Sequence, residues 1–482
     1  MRWAFVLQYV GILVFFLGLA MLIPTGVGLF YSDGGVPALA GSSAISVLCG
    51  AVFFLVFRRG KTEHISQREG MAIVAIGWTA IGLFGALPFY ISGSCPFFAD
   101  AFFEAVSGFT TTGASVLTEV ESVPKGLLFW RSFIQWLGGM GIIVLTIAIL
   151  PFLGVGGFQL YKAEVPSPVP DKLRPRIRDT AKALWKVYVL FSAAEVLLLL
   201  IGGMTLYDAF CHTFTTMPTG GYSTKNLSIA HFDSLYFEIV IMGFMVLAGI
   251  NFSLHFRMLQ AKPLVYLRNP ECRFFLVTLV ILIIAVSTSV FGTVYDNIAE
   301  SLRYGSFQVI SILTTTGYAT ADYDQWPSVG RLIILLCMFA GASAGSTGGG
   351  MKLMRLMVCF KFCYKELFNL LHPHSVSYVK IGGRPVSDAV INGVLGFLAL
   401  YLAIFVLCAV LLAAMGVDFV TSISASAASI GNIGPGLALV GPTGNYADIP
   451  YFGKWLLSLV MLLGRLEIYT IIIFLVPEFW RK

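Results

Sequence analysis

Charge is what this sequence has least of. Of 482 residues only 12% are Asp, Glu, Lys or Arg, about half of the roughly 25% found in soluble domains. A folded chain of this size cannot be covered with a water-compatible surface from that supply. Histidines number six, and the eight cysteines include no CxxC pair, which gives no ground for a disulfide framework or a zinc site. Only Cys359 and Cys363 share a helical face, and the cysteines read as small buried hydrophobes. His212, His231 and His255 have no metal-ligand spacing. A membrane-embedded enzyme would need acids, histidines or a nucleophile gathered at one membrane face, and no such cluster is found. The net charge of +6 is first an orientation signal in so apolar a chain and gives no reason to invoke nucleic acid.

What is abundant is apolar sequence. Hydrophobic residues make up 57% of the chain, mean hydropathy is +0.85, and uncharged runs long enough to cross a hydrocarbon core recur. Ten spans are predicted, over about 5–29, 38–57, 71–92, 129–153, 183–204, 235–256, 274–291, 331–360, 390–415 and 455–476. The first is too long for the apolar core of a signal peptide. Basic connections, such as Arg58-Arg59-Gly60-Lys61, 162–182, 257–273 and 361–384, alternate with poorly charged ones. With the basic set in the cytoplasm, both termini lie inside. Trp130, Trp455 and Trp480, near span ends, read as interfacial anchors.

Four of the other connections carry a second, short apolar segment followed by a Thr- and Gly-rich stretch. Aligned on the last glycine they are Asp100-AFFEAVSGFTTT-Gly113, Asp208-AFCHTFTTMPTG-Gly221, Tyr304-GSFQVISILTTT-Gly317 and Thr421-SISASAASIGNI-Gly434. The terminal glycines are 108, 96 and 117 residues apart, which is an internal repeat. The predicted fold is an all-α polytopic membrane protein: two N-terminal helices (1–70), then four helix/pore-loop/helix repeats (71–182, 183–273, 274–388 and 389–482) around a pseudo-fourfold pore. Irregular backbone at membrane depth survives where it lines water. Inward carbonyls and the hydroxyls of Thr111, Thr112, Thr315 and Thr316 are hard oxygen ligands suited to alkali cations. Each short helix is expected to begin outside, with Asp100 or Asp208 as N-cap, and to aim its negative end at the ion.

Together Gly108-FTTT-Gly113-AS, Thr215-TMPTGGYST, Leu313-TTT-Gly317-YATAD and Gly431-NIGPG resemble the four filter loops of the Trk/Ktr potassium transporters, in particular the ten-span Trk-type membrane subunit. The resemblance covers essentially the whole chain. It implies potassium uptake across a bacterial inner membrane, with potassium held by Thr111-Thr112-Gly113, Thr219-Gly220-Gly221, Thr315-Thr316-Gly317 and Asn432-Ile433-Gly434. Gly220 and Gly221 are alternatives for the second filter glycine. Serine in place of the first filter glycine accompanies sodium selectivity in the related plant transporters, and here that position is Gly113.

Two intramembrane features extend the resemblance. Gly341, Gly345, Gly348, Gly349 and Gly350, followed by Lys352 and Arg355, predict a break in the eighth span, since each glycine costs a helix about 1 kcal/mol. A phosphate loop would need a preceding strand, which the sequence lacks. The family places its gate at this segment. Arg465 lies near the middle of the last span, too deep to reach water easily, so it faces the pore or pairs within the fold, with Glu467 the nearest acid. In the family an arginine of this helix projects beneath the filter. The resemblance also implies a homodimer and a ring of cytosolic nucleotide-binding regulatory subunits, for which the basic, proline-containing stretch 161–182 is a plausible dock. The chain itself carries no organic cofactor site. Coupling to protons or sodium, or service as the ion-translocating subunit of a potassium-pumping ATPase, are the alternatives to simple conduction; two extra N-terminal spans and the glycine-rich segment count against the ATPase.

Overall fold

The computed structural model describes residues 1–58, 66–141, 177–260, 264–375 and 377–480. The end of the predicted fourth span, the basic stretch up to residue 176 and the basic residues after Arg58 lie outside the described residues. Apolar runs flanked by turn residues become helices, because a backbone in hydrocarbon must satisfy its own hydrogen bonds. The order is α1 (Trp3–Ala20), α2 (Leu22–Tyr31), α3 (Val36–Val56), α4 (Gln67–Ile91), α5 (Phe98–Phe109), α6 (Lys125–Trp136), α7 (Ile177–Ile201), α8 (Leu206–Thr216), α9 (Leu235–Gly249), α10 (Phe252–Leu259), α11 (Pro270–Val290), α12 (Ile298–Leu313), α13 (Ser328–Ala340), α14 (Leu353–Leu371), α15 (Asp388–Ala414), α16 (Phe419–Gly431) and α17 (Tyr451–Arg465). A two-stranded hairpin, β1 (Lys380–Ile381) and β2 (Arg384–Pro385), pairs Lys380 with Pro385 and Ile381 with Arg384.

Among the described residues, six helices are long and apolar enough to cross a membrane, and two further spans are bent pairs. The spans expected at 235–256 and 455–476 are therefore not continuous. The first bends by 103° between α9 and α10, and the second by 110° after α17. The break after Ala340 was legible from its glycines. The other two were not, because a bend made by ordinary residues leaves no mark on hydropathy.

Four long helices (α4, α7, α11, α15) are each followed by a short helix (α5, α8, α12, α16) and then a third helix (α6, α9, α13, α17). Each short helix packs on its own long helix, and each third helix packs on the short helix of the next unit: α6 on α8, α9 on α12, α13 on α16, and α17 back on α5. The chain thus closes a ring without a second copy. Ion pairs lie at two of these joints, Lys454 to Asp100 at 2.6 Å and Arg303 to Glu238 at 2.7 Å.

The N-terminal pair packs by close backbone approach. Ser43 Oγ donates to the Gly18 carbonyl at 2.7 Å, and a Cβ on Gly50 would fall 2.7 Å from both Phe15 Cα and the Gly11 carbonyl oxygen. Such small-residue contacts drive helix association in lipid. Gly50→Val should lower stability by about 1–3 kcal/mol through overpacking. Gly41→Ala, on the same helix with open space around it, should be neutral or slightly stabilising. Thermal melts of the two purified variants in one detergent make the comparison.

Candidate functional site

The four short helices converge on one kind of ending. Thr111 donates its amide to the Gly108 carbonyl at 3.0 Å and Thr112 to Ser107 at 2.8 Å, which is a Schellman closure with a left-handed residue at Thr111. The same pair of bonds recurs from Thr219 and Gly220 to Thr216 and Thr215, from Thr315 and Thr316 to Ile312 and Ser311, and from Asn432 and Ile433 to Ser429 and Ala428. The left-handed residues have φ of 54°, 58°, 61° and 53°. Asn tolerates that region, whereas a β-branched Thr pays about 1–2 kcal/mol. Asn432 is therefore a geometric equivalent of the threonines and not a defect in the repeat. Two residues later the chain turns left-handed again, at Gly113, Gly221, Gly317 and Gly434. In the second loop the left-handed glycine is Gly221, and Gly220 is the residue before it.

These glycines leave no room for a side chain. A Cβ on Gly113 would run into the carbonyl oxygen of Gly220, one on Gly221 into that of Thr316, one on Gly317 into that of Ile433, and one on Gly434 into that of Thr112. Loop one leans on loop two, two on three, three on four, and four on one. All four glycines line a single vestibule of about 150 Å³.

Braces hold the ring from behind, and hydropathy had given no reason to single them out. Glu104, His212 and Gln308 occupy one register of α5, α8 and α12. Glu104 accepts from the Val116 amide at 2.9 Å and the Ser115 hydroxyl at 3.1 Å. His212 Nε2 meets Ser223 Oγ at 3.0 Å, and the Gln308 amide group meets Thr320 and Ala321. Tyr222 Oη donates to the Glu104 carbonyl at 3.0 Å, and Tyr318 Oη to the equivalent His212 carbonyl, also at 3.0 Å. Each tyrosine follows a filter glycine and reaches the previous unit's short helix. Arg131 binds Glu104 at 2.6 Å, donates to the Ser223 carbonyl at 3.0 Å and lies 3.5 Å from the centre of the Tyr222 ring. The legible signal was a polar residue at one fixed register in three of the four apolar short helices.

The expected N-caps need correction. Asp100 lies in the first turn of α5 and pairs with Lys454, and Phe97 at the cap position offers no side-chain bond. On α8 the cap is Thr205, whose hydroxyl accepts from the Asp208 amide at 3.1 Å. Asn297 and Asp418 cap α12 and α16. Thr421 holds the Asp418 carboxyl below the usual carboxylate range through hydrogen bonds from its hydroxyl and amide. The threonine hydroxyls also differ from expectation. Thr112 Oγ1 bonds Thr110 Oγ1 at 2.7 Å and accepts from Asn432 Nδ2 at 3.0 Å. Thr316 Oγ1 bonds Thr314 Oγ1 at 2.8 Å. Both are engaged by protein rather than offered inward.

Directly below the ring runs the glycine-rich segment between α13 and α14. Its turns are left-handed at Gly341, Gly345, Gly350 and Lys352. Gly349 donates its amide to Thr315 Oγ1 at 2.7 Å, a Cβ on Gly348 would meet the Thr314 carbonyl at 2.9 Å, and Thr347 Oγ1 donates to the Met217 carbonyl at 3.0 Å. A Cβ on Gly349 would be 3.0 Å from that of Asn432. Three of the four loops are thus touched from beneath. Arg465 reaches the fourth quarter: it donates to the Thr347 carbonyl at 2.8 Å and to those of Gly138 and Gly139 at 2.9 and 3.1 Å. It stands at the end of α17, where the helix breaks, and not in mid-helix. Glu467 pairs with Arg355, so it is not the partner of Arg465. Lys352 is buried and its Nζ donates to the Gly348 carbonyl. Glu271, at the start of α11, accepts from the Ala344 amide at 2.5 Å and anchors the segment's first half.

Arg131→Met would leave Glu104 buried without its cation, which costs about 3–5 kcal/mol. The paired change Glu104→Gln with Arg131→Met should recover much of that loss, and thermal unfolding of the single and double variants measures the coupling.

The comparisons with known proteins agree along the whole chain. Residues 38–482 match the TrkH family model, described as a cation transport protein. The chain is 40% identical to the Trk system potassium uptake protein TrkH of Salmonella typhimurium, over all of both chains. It is 37% identical to TrkG of Escherichia coli, over 98% of this chain and 97% of that one. The crystal structure of the potassium transporter TrkH from Vibrio parahaemolyticus superimposes with a TM-score of 0.90 at 37% identity, covering both chains fully. The chain is an all-α, multi-pass membrane protein that belongs to the TrkH family of cation transport proteins.

Proposed function

We propose that this chain takes up potassium across a bacterial inner membrane through a filter built from the backbone of Thr111–Gly113, Thr219–Gly221, Thr315–Gly317 and Asn432–Gly434. One observation carries the reading: four chemically different loops adopt one backbone, left-handed at the first and third positions, and rest on one another in a closed cycle. Strained backbone repeated four times around a water-facing vestibule is what an ion-coordinating ring of carbonyls requires. The C-terminal ends of four short helices point at the same place and favour a cation there. The division of the chain at 70, 182, 273 and 388 belongs to this reading, as do a homodimer, cytoplasmic termini and control by a cytosolic nucleotide-binding subunit. The relatives are named as parts of a Trk system, which supports a partner. Their names describe transport, which supports a transporter rather than an enzyme.

The segment from Gly341 to Lys352 acts here as the gate, with Gly345, Gly348, Gly349 and Gly350 giving it the backbone freedom to move and Arg465 as its clasp. It lies against three loops, and one guanidinium ties it to Gly138 and Gly139. Opening would break those bonds and carry the positive charge aside.

Gly113→Ser should lower the ratio of potassium to sodium flux in reconstituted protein, because the new side chain has to displace the Gly220 carbonyl. An unchanged ratio would sink the filter assignment. Arg465→Ala should raise cation flux: a guanidinium about 6 Å from an ion at an effective dielectric of about 20 opposes passage by roughly 3 kcal/mol, on the order of a hundredfold. Arg465→Lys should stay nearer the parent, since it keeps the charge. If the alanine variant melts early and conducts no better, Arg465 is structural and not part of a gate.

A further inference from the structure

Glu195 of α7 is fully buried, and among the described residues neither of its carboxyl oxygens has a hydrogen-bond partner in ordinary geometry. The side chain approaches the Thr216 hydroxyl at the end of α8, three residues before the left-handed Thr219. The Thr216 proton is already engaged, donated to the His212 carbonyl at 2.8 Å. What Thr216 has left is an oxygen lone pair. A carboxylate cannot use that, but a carboxylic acid can. One turn earlier on the same face of α8, the buried Thr213 hydroxyl also has no partner among the described residues.

We propose that Glu195 is a proton-binding site behind the second filter loop, its bound proton completing a chain from Glu195 through Thr216 to the His212 carbonyl. Among the described residues, the groups around it favour a proton as its ligand. Tyr188, on its own helix, donates to the Trp136 carbonyl at 3.2 Å, and Tyr318 donates to the His212 carbonyl at 3.0 Å. On α8, His212 is held by the Asp208 carbonyl and Ser223, and Cys211 is buried beside it. On α10, His255 is held by Tyr266 and the Leu247 carbonyl. Glu238 of α9 is paired with Arg303. Arg465, which shares Tyr188 as a neighbour with Glu195, donates to the Thr347, Gly138 and Gly139 carbonyls, and among the described residues no cation stands at ion-pair distance of Glu195. Losing the proton would turn the Thr216 hydroxyl from His212 towards the new carboxylate and free the last turn of α8, to which the second loop is joined. The consequence for ion selection rests on the filter reading above. The proton itself does not.

Infrared difference spectra of the purified full chain test the proton directly. At neutral pH the parent should show the C=O stretch of a protonated carboxyl that is missing in Glu195→Gln, and Thr216→Val, which removes the acceptor, should shift that band. The band should fade at alkaline pH. In liposomes the potassium-to-sodium flux ratio of the parent should drop about fivefold over the same change, the equilibrium factor of one ordinary buried hydrogen bond. Glu195→Gln, whose amide still donates to Thr216 and cannot ionise, should hold its ratio. A band that survives Glu195→Gln, or a Gln variant whose ratio falls with pH as the parent's does, overturns the proposal. Gly113→Ser addresses the filter alone, so the two failures are separable.

Discussion

Everything in this molecule is arranged around backbone that no helix or strand would choose. Each of the four loops turns left-handed twice within three residues, first at Thr or Asn and then at Gly. The first turn follows from the Schellman closure of the short helix, and the second brings the glycine against a neighbouring carbonyl. Neither is stable in isolation. The strain persists because the surroundings over-determine it, and those surroundings are the reason the chain needs four helical units instead of one.

The cyclic contact of loops is repeated at three depths. At one end of the ring, third helices lock onto the next unit's short helix with Lys454–Asp100 and Arg303–Glu238 at two joints. At the level of the loops, Tyr222 and Tyr318 tie the second and third loops to the preceding short helix. Below, Arg465 and the glycine-rich segment reach across the axis. A local change in one unit is therefore felt by its neighbour at each level, which gives a physical route between the glycine-rich segment and the ring of loops above it. The short bond from Gly349 to Thr315 is the most direct of these links.

The sequence made the plan of the fold readable because hydrophobic length and a repeated Thr/Gly punctuation are local signals. The long apolar helices among the described residues, the four short apolar segments and the glycine break before Lys352 could all be read off, together with the glycines that line the vestibule. The bends after Gly249 and Arg465 could not, since neither carries a proline or a glycine cluster at the turn. The caps were misassigned for a similar reason: Asp100 and Asp208 are typical capping residues, yet an ion pair with Lys454 claims one and the nearby Thr205 displaces the other. Glu467, the acid nearest Arg465 in sequence, pairs with Arg355 instead, a partner more than a hundred residues away that sequence nearness could not indicate. The braces at Glu104, His212 and Gln308 bind loop residues only 11 to 13 positions on, but Tyr222 and Tyr318, which bond the same short helices, come from more than a hundred residues away and are brought there only by the fold.

A pore made of four identical subunits must accept any substitution four times over. Here the register that braces the filter holds a carboxylate in the first quarter, an imidazole in the second, a carboxamide in the third and, at Ala425, a methyl group in the fourth. One quadrant can thus be stiffened, loosened or made responsive to its surroundings while the other three keep the ring's backbone in place. On the proposed reading of the ring, its preference among ions can drift by small, separate steps, and the fourth quarter, the least braced, is the place where such drift meets the least resistance.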